Sequence, residues 1–447
     1  MKNLYSTLSE LVAESNGISD EEYRLAGISK GLRKSNDEGI LVGITNICDN
    51  YGRHDGIDCE GQIFYRGINL QDFLDDSHTG KYCFEEVAYL LLFGSFLEDK
   101  LLQNLREEQK TIHSRLIPNL ERMINQETSP NLMNAVSRCV LNLYVWDERA
   151  DDVSMENMIH QALTLITLMP VITVNAYRRN RLPLREPYRL ITNEQLSIAE
   201  NILYMCRGGM HFTPLEADIL NLCLILHAEL GGGNNSTFTT QVVASTGTDT
   251  YSVIAAAIGS IKGPKHGGAN IKAFQMMQEI KREVSNWEDK AELERYLRKI
   301  IHKEAFDRTG LIYGVGHAVF TLSDPRTEIL RELARKLSCS KGHEKEFILY
   351  ESVERLASEI IRQEKQVEKH ICANVDFYSG FIYDMLGIPA ELFTPMFVNA
   401  RIAGWCAHRL EEMCNGSRII HPAFIYSQQG RKGEYRNGRI VKNFKQL

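Results

Sequence analysis

The stretch best suited to chemistry in this sequence is the octapeptide Gly-Pro-Lys-His-Gly-Gly-Ala-Asn at residues 263–270. It places the imidazole of His266 between a Gly-Pro turn and a Gly-Gly pair, directly before a polar segment with helical character. Glycine permits backbone conformations closed to other residues and lets a ligand approach the chain closely. A histidine at such a break is a candidate for acid–base or hydrogen-bond chemistry. By itself the octapeptide favours an ordinary loop histidine, because short motifs also match by chance.

Further stretches carry groups of the same kind. A Gly-Val-Gly-His-Ala run at 314–318 sets His317 in a second glycine-flanked turn, and an Asp-Pro-Arg run that ends at Arg326 follows it. The carboxylate of Asp376 lies in an Asn-Val-Asp-Phe-Tyr-Ser-Gly run, and Arg401 lies in a later segment with helical character. Two histidines on glycine turns, one carboxylate and the arginines between them form the candidate constellation.

A glycine run at 227–236, His-Ala-Glu-Leu-Gly-Gly-Gly-Asn-Asn-Ser, raises the alternative of a nucleotide-binding loop. Neither glycine-rich run is followed by Gly-Lys-Ser/Thr or follows a clear strand, so P-loop and Rossmann sites are excluded. The chain also lacks the Gly-x-Ser-x-Gly elbow of a Ser-His-Asp hydrolase. What remains suits carbon-acid chemistry, in which a carboxylate removes a proton beside a thioester carbonyl and a neutral imidazole donates to the enolate oxygen. Arginines would then bind substrate carboxylates.

Helical periodicity dominates the elements that must position these groups. Apolar residues repeat at three- and four-residue steps from 132 to 143, which predicts one buried helix stripe. The segment 159–174 is apolar nearly all round, yet short and polar for a membrane span, and predicts a kinked core helix. Strand-like runs are few, and 40–45 with 62–65 predict a small hairpin near the N-terminus. The fold class is therefore mostly α.

Size and composition narrow the function classes. At 447 residues the chain exceeds the size at which single cores stop growing, so one large and one smaller domain are expected. The net charge of −7 argues against a nucleic-acid partner. The first residues lack the apolar core of a signal peptide and the ten cysteines include no Cys-x-x-Cys pair, so we expect a cytoplasmic protein with reduced thiols and no membrane partner. Cys406, His408 and Cys414 do not share one helix face, and we predict no metal site.

At this point the chain resembles the citrate synthase family. The octapeptide at 263–270, the run from 314 to 326 and the run at 374–380 match the three signatures of that family in its order. The Phe-Tyr-Arg-Gly at 64–67 and the segment 242–259 are also similar to it. The resemblance spans about residues 40 to 425 and is strongest to the bacterial citrate/2-methylcitrate synthase branch.

The resemblance implies a mostly helical homodimer with two domains in each subunit. Residues 1–270 and 387–447 would form the large domain, and residues 271–386 the small domain that closes over the substrates. Closure of this kind excludes water and assembles the site. The implied substrates are small molecules, an acyl-CoA and a 2-oxo dicarboxylic acid. No cofactor is implied, because acetyl-CoA is a co-substrate.

The resemblance also implies roles for the constellation. Asp376 would abstract the methyl proton of acetyl-CoA, and His266 would donate to the thioester oxygen as it becomes an enolate. His317 would polarise the keto carbonyl of oxaloacetate. Arg326 and Arg401 would each hold one of its carboxylates. Positions implied to contact CoA are the backbone around the second glycine turn and one basic residue: Gly314, Val315, Gly316, Ala318, Val319 and Lys369.

Two substrate positions depart from the family pattern. Where the family has a second histidine three residues after the one matching His227, this chain has Leu230, which neither donates nor carries charge. Where the family has an Arg-Pro pair that reaches across the dimer, this chain has His421 followed by proline. Each oxaloacetate carboxylate is therefore expected to lose one ligand, and a charge-assisted hydrogen bond is worth about 1.5–3 kcal/mol. A third departure is Thr321, where many relatives carry a basic residue.

Three functions follow from these residues. The leading hypothesis is an acyltransferase that condenses acetyl-CoA with oxaloacetate and water to give citrate and CoA. The second is a related synthase with a shifted choice of 2-oxo acid or acyl-CoA, for example a 2-methylcitrate synthase. The third is a non-catalytic CoA-binding paralogue, which the weakened substrate ligands suggest and the intact base and histidines oppose.

Overall fold

The computed structural model describes residues 39–424, with gaps at 55–56, 75–79, 127, 184–185, 318, 367, 369 and 417. It also describes a few positions before residue 39 and two short strands after residue 433. The chain divides into two compact units, Ile44–Ile419 and Met1–Gly43 with Ile420–Leu447. The predicted boundaries of a small domain at 271 and 386 fall inside the larger unit and stay a prediction.

Helices dominate the larger unit, which confirms the mostly α fold class. Their bounds are α1 Phe84–Phe93, α2 Asp99–Gln126, α3 Leu132–Leu143, α4 Met155–Asn180, α5 Ile198–Cys206, α6 Pro214–His227, α7 Asn235–Ala244, α8 Thr250–Ile261, α9 Ala269–Glu283, α10 Lys290–Ile301, α11 Pro325–Lys341, α12 Glu344–Lys365, α13 Asp376–Met385 and α14 Phe393–Cys414. Several begin where a side chain accepts a hydrogen bond from the first turn, as Ser197, Thr213 and Asp324 do before α5, α6 and α11.

One small antiparallel sheet precedes the helices. Strands β1 Cys48–His54 and β2 Ile57–Tyr65 form a hairpin, and β3 Ile68–Asn69 adds to β2. The second strand of the predicted hairpin is confirmed, but the first was wrong: Ile40–Thr45 is not the partner. The two residues between β1 and β2 in the sequence are Asp and Gly, a pair that favours a two-residue hairpin. In the smaller unit, β4 Glu434–Arg436 pairs with β5 Arg439–Val441.

The core of the larger unit is built around α4 and α14, which pack on each other. Every residue of α14 from Phe393 to Leu410 is buried. Helix α4 is long and apolar enough to cross a membrane by length and composition alone, but 83% of its most apolar window is buried inside the protein. It also packs on α2, α3 and α5. The predicted core helix is thus confirmed, and it continues on both sides of the predicted 159–174 segment.

Helix ends carry the candidate residues. Helix α6 ends at His227, α9 begins at Ala269 near the end of the octapeptide, α11 begins after Asp324, and α13 begins at Asp376. Helix α11 packs on α6 and α13, α9 packs on α13 and α14, and α14 packs on α6 and α7. Backbone groups at helix ends lack intrahelical partners and are available to hold side chains and ligands. The packing therefore gathers these ends into one region.

Candidate active site

The octapeptide forms a tight turn between α8 and α9. The backbone N–H of His266 donates to Gly263 O at 2.9 Å, and Thr394 Oγ1 donates to Gly267 O at 3.0 Å. A Cβ at Gly267 would overlap with the carbonyl oxygen of Ile261, so only glycine allows this packing. The half-buried His266 ring then places Nε2 3.0 Å from Ser236 Oγ.

The Ser236 hydroxyl connects His266 to the core. Trp405 Nε1 donates to Ser236 Oγ at 3.2 Å, and Asn234 Oδ1 lies 2.9 Å from the same oxygen. A hydroxyl has one proton, which goes either to Asn234 or to His266 Nε2. The second arrangement leaves the proton of a neutral His266 on Nδ1. Burial, reinforced by Arg401, lowers the pKa of His266 to about 4, so the ring is neutral at pH 7.

The ring of His317 is fixed by its own turn. Its Nδ1 accepts the backbone N–H groups of Val319 at 2.9 Å and Phe320 at 3.0 Å. A nitrogen that accepts two N–H groups carries no proton, so the proton of a neutral ring lies on Nε2. Nε2 lies 3.5 Å from Arg326 Nη2 and 4.0 Å from Asp324 Oδ2. This N–H donor and the guanidinium are therefore neighbours.

Arg326 is held by a carboxylate that belongs to its own helix cap. Its Nε and Nη2 donate to the two oxygens of Asp324 at 3.0 and 2.7 Å, and both residues are buried. The same carboxylate accepts the backbone N–H of Arg326 as the N-cap of α11. Burial opposes the charge on Asp324, but Arg326 overcomes this and keeps the pKa of that carboxyl below its usual value. This bidentate pair fixes the guanidinium plane.

Asp376 is the first residue of α13, and its backbone N–H donates to Asn374 Oδ1 at 3.0 Å. Burial is the largest influence on its carboxyl and raises the pKa to about 7. Arg326 acts in the opposite direction, and the charge of Asp324 adds to the rise. A carboxyl in this state is a stronger base than an ordinary aspartate, whose reference pKa is about 3.9.

The second glycine turn and the run before Asp376 are joined through their backbones. Val315 and Ala373 form an isolated antiparallel bridge, Asn374 N donates to Gly314 O at 2.8 Å, and Gly316 N donates to Cys372 O at 2.8 Å. Gly314 has φ +81°, and a Cβ there would lie 2.9 Å from the Cα of the residue after Asp376. The structure thus brings together the turn that carries His317 and the helix that begins at Asp376.

A pocket of about 240 Å³ lies beside this turn. Its lining residues come from the second glycine turn and its flanks, from the end of α12 and from the residues before Cys372: Gly310, Leu311, Ile312, Val315, Gly316, His317, Phe320, Ile361, Lys365, His370 and Ile371. Of the six positions predicted to contact CoA, Val315 and Gly316 line it, and Gly314 and Val319 flank it in the turn. Ala318 and Lys369 lie outside the described residues.

Arg401 lies on α14 and is buried. Its Nε donates to His227 O at 2.8 Å, while its buried Nη1 has no hydrogen-bond partner among the residues described. Burial lowers the pKa of Arg401, and the nearby Glu229 partly restores it. His227 is fully buried, Nδ1 contacts the carbonyl of Cys223, and Nε2 has no partner within the described chain. Burial lowers the pKa of His227 to about 3, so its ring is neutral.

The charges of these groups act on one another. Arg401 acts to lower the pKa of His266, Arg326 acts to lower the pKa of Asp376 and of Arg401, and both arginines act to lower the pKa of His227. The three predicted catalytic residues and the two predicted arginines therefore share one electrostatic neighbourhood. Two buried guanidinium groups in one neighbourhood favour an anionic ligand.

The two departures have different surroundings. Leu230 is partly buried against the core, and its carbonyl accepts Asn50 Nδ2 at 3.0 Å. His421 is exposed and belongs to the smaller unit, so its predicted contact with a substrate stays a prediction. Thr321 is buried.

Sequence reasoning missed several residues of this site. Ser236 orients His266, Asp324 orients Arg326, and the buried side chains of Glu229 and His408 lie 3.4 Å apart. The Asp-Pro start of α11 was a local signal for Asp324, because aspartate is a favoured N-cap and proline a favoured first helical residue. The other contacts join distant parts of the chain and leave no local pattern. Within the described residues, no group of three or more His, Cys, Asp or Glu side chains is placed to hold a metal ion.

A carboxyl with a raised pKa, neutral imidazoles and two buried guanidinium groups on a helical fold define an acid–base site for anionic substrates. Comparison with known proteins gives the family. The family model "Citrate synthase, C-terminal domain" matches residues 32–423. The chain belongs to the citrate synthase family.

Individual relatives agree with this assignment. The chain is 33% identical over 390 residues to a citrate synthase of Synechocystis, covering 86% of this chain and 89% of that one. It is 32% identical to a 2-methylcitrate synthase of Shewanella oneidensis, covering 81% and 88%. Among solved structures, it is similar to a citrate synthase of Thermoplasma acidophilum in a ternary complex with carboxymethyl coenzyme A and oxaloacetate, with TM-score 0.73, 26% identity and coverage of 92% and 98%.

Proposed function

We propose that this protein condenses acetyl-CoA with oxaloacetate and releases citrate and CoA. The observation that carries the proposal is the shared neighbourhood of Asp376, His266, His317 and the two buried arginines. Similarity to the Thermoplasma acidophilum enzyme that binds a CoA analogue and oxaloacetate supports the choice of substrates. The reaction needs no cofactor, because acetyl-CoA enters as a co-substrate.

In the first step Asp376 removes a proton from the methyl carbon of acetyl-CoA. The C–H electron pair forms the new C=C bond, and the thioester oxygen becomes an enolate oxygen. Because burial raises the pKa of Asp376 to about 7, proton transfer to this carboxylate costs less than transfer to an ordinary aspartate. The form that acts is the carboxylate, so activity falls as the pH falls through about 7.

His266 stabilises the enolate oxygen. Its neutral ring donates from Nδ1 when Ser236 donates to Nε2, and Trp405 donates to Ser236 in turn. A preoriented neutral donor supports an enolate without the desolvation cost of burying a cation.

In the second step the enolate carbon attacks the ketone carbon of oxaloacetate. His317 Nε2–H donates to the ketone oxygen, which gains the electron pair of the broken C=O π bond and takes up a proton. Arg326 beside it and Arg401 bind the carboxylates. Water then attacks the thioester of citryl-CoA, and CoA leaves as the thiol.

Release of CoA tests the proposal directly. Purified protein mixed with acetyl-CoA, oxaloacetate and a thiol reagent should release CoA at a rate proportional to enzyme concentration, with citrate as the product. Absence of CoA release with every acyl-CoA and 2-oxo acid tried would contradict the proposal and favour the non-catalytic CoA-binding paralogue.

A second candidate is the same chemistry with a different pair of substrates. Leu230 presents an apolar side chain where the family pattern has a donor, and the relatives include a 2-methylcitrate synthase. Acyl-CoA with two and three acyl carbons, each paired with oxaloacetate, pyruvate and 2-oxobutyrate, separates the two candidates. A clear preference in kcat/KM for acetyl-CoA with oxaloacetate supports the first candidate, and any other preference supports the second.

We propose also that the active form is a cytoplasmic homodimer. Three apolar side chains at the end of α3, Leu141, Tyr144 and Val145, are 38–74% exposed in the single chain, which is unfavourable unless a partner covers them. Light scattering on the purified protein should give twice the chain mass. The double substitution Leu141→Glu with Val145→Glu should shift the mass toward that of one chain.

A further inference from the structure

We infer that Glu229, which packs against Gly404 and His408 of α14, is a positioning residue for the end of the site that binds the 2-oxo acid. This role rests on the proposed function, because it concerns how the same site holds its acceptor. The relevant segment is the turn 227–231 after α6, which we call the acceptor turn. It contacts α14 through Arg401 and His408.

The Glu229 carboxylate shapes the acceptor turn from inside. Oε1 accepts the backbone N–H of Leu230 at 2.9 Å and of Gly231 at 2.6 Å, and the side chain is fully buried. Gly231 has φ +85°, a conformation in which glycine is the favoured residue. A buried carboxylate that accepts two N–H groups fixes the turn more strongly than neutral hydrogen bonds would.

Other contacts make the acceptor turn continuous with Arg401. The carbonyl of His227 accepts Arg401 Nε at 2.8 Å, and Tyr65 Oη lies 3.0 Å from Glu229 O and 3.3 Å from Glu229 N. Asn50 Nδ2 donates to Leu230 O at 3.0 Å. A change in the turn therefore moves the atom that holds Arg401.

Helix α14 provides a matching surface for this carboxylate. Arg401, Gly404 and His408 are spaced three and four residues apart and share one face. A Cβ at Gly404 would overlap with Glu229 Oε2 and would lie 2.6 Å from Ala228 O. His408 Nε2 lies 3.4 Å from Glu229 Oε1 at ion-pair distance, and its Nδ1 lies 3.2 Å from the amide nitrogen of Gln241.

The charge of Glu229 also reaches Arg401. Glu229 is the largest charged influence that supports the cationic form of Arg401, and burial opposes that form. Burial likewise opposes the carboxylate of Glu229, and His408 and Arg401 keep its pKa below the usual value. Arg401 and Glu229 therefore stabilise each other's charges, while Arg401 Nη1 stays unpaired within the described residues and can bind a substrate carboxylate.

Steady-state kinetics of two pairs of variants tests the inference. Glu229→Ala and Gly404→Ala should each raise KM for the 2-oxo acid about tenfold or more, the loss expected for charge-assisted hydrogen bonds. KM for the acyl-CoA should stay within about twofold, because the Glu229 carboxylate itself bonds the N–H groups of Leu230 and Gly231 and not His266 or Asp376. Glu229→Gln keeps an oxygen acceptor for the two N–H groups but not the charge that supports Arg401, and should restore part of the loss. Gly259→Ala, at a helical glycine with open space around it, is the matched control and should change neither KM.

The outcomes separate the inference from the proposed function. An unchanged acceptor KM in Glu229→Ala, or equal rises in both KM values, would overturn the positioning role. A wild-type protein that releases no CoA contradicts the proposed function, and titration calorimetry with oxaloacetate then decides the inference. Affinity that the wild type has and Glu229→Ala loses supports it; equal affinity, including no binding by either protein, overturns it. Thermal melting of Glu229→Ala and Gly404→Ala, beside the wild type, confirms that the comparison uses folded protein.

Discussion

Two parts of this site, the turns that lead to His317 and Asp376 and the acceptor turn, are held in place in different ways. The turn at 314–316 and the run at 372–374, which lead to His317 and Asp376, are joined backbone to backbone through a bridge and N–H donors. The acceptor turn is held by the side chains of Tyr65, Asn50 and Glu229. Geometry that depends on backbone atoms survives most side-chain substitutions. Geometry that depends on side chains is where a single substitution changes what the site binds.

The difference from the family pattern at Leu230 lies in the part of the site that side chains hold in place. Leu230 lies inside the acceptor turn, whereas the three predicted catalytic residues lie on turns fixed by backbone contacts or by glycine. The comparison predicts that substitutions of the predicted catalytic residues and their partners change kcat. Substitutions in the acceptor turn should instead change the choice of 2-oxo acid.

Removal of the base should have the largest effect. Asp376→Ala removes the group that takes the proton, and general-base removal costs about 10²–10⁴-fold in kcat. CoA release measures it, and Asp384→Ala on the exposed face of the same helix is the control. A kcat within threefold of the wild type would show that Asp376 is not the base.

Leu230→His should have the next largest effect, confined to the acceptor. A new N–H donor beside the substrate carboxylate should lower KM for oxaloacetate about tenfold and leave KM for acetyl-CoA unchanged. Leu230→Met, which changes shape without adding a donor, is the matched control. An equal response to both substitutions would show that the polarity of position 230 does not set acceptor binding.

Ser236→Ala should lower kcat about tenfold with little change in KM for the 2-oxo acid. Without the hydroxyl, His266 loses the partner that holds its proton on Nδ1. The exposed Ser340→Ala serves as the control. A change in KM for the 2-oxo acid instead of kcat would contradict the expectation that only the acceptor turn sets binding of the 2-oxo acid.

The smallest expected effect concerns stability. The pKa of Asp376 is raised in the folded state to about 7, above a reference value of about 3.9. Its contribution to stability is therefore complete below about pH 4 and is lost as the pH rises through about 7. Asp376→Asn carries no such charge and should melt a few degrees above the wild type at pH 8, with a smaller difference at pH 5. Equal differences at both pH values would contradict the raised pKa.

Local sequence patterns predicted the catalytic turns well, because glycines and prolines mark them directly. His266, His317 and Asp376 all lie where a glycine-framed break or helix start placed them. Arg326 and Arg401, which the sequence placed in the second motif and in a later helical segment, are both buried. Helix periodicity also predicted the core helix that became α4.

What sequence could not supply is pairing between distant side chains. Glu229 and His408 lie on separate elements, and nothing near either residue in the sequence indicates the other. The first strand was placed at 40–45 because its residues favour strands, yet the strand that pairs with β2 is Cys48–His54. Propensity describes a segment alone, whereas pairing depends on its partner.

The bridge between the 314–316 turn and the 372–374 run has a kinetic consequence. Asn374 and Gly316 are separated by 58 residues that include all of α11 and α12, so the two segments meet only after a long loop has closed. Contacts of this sequence separation form late in folding. Refolding experiments should therefore show helical signal returning before activity, and recovery of CoA release should mark the closure of this loop.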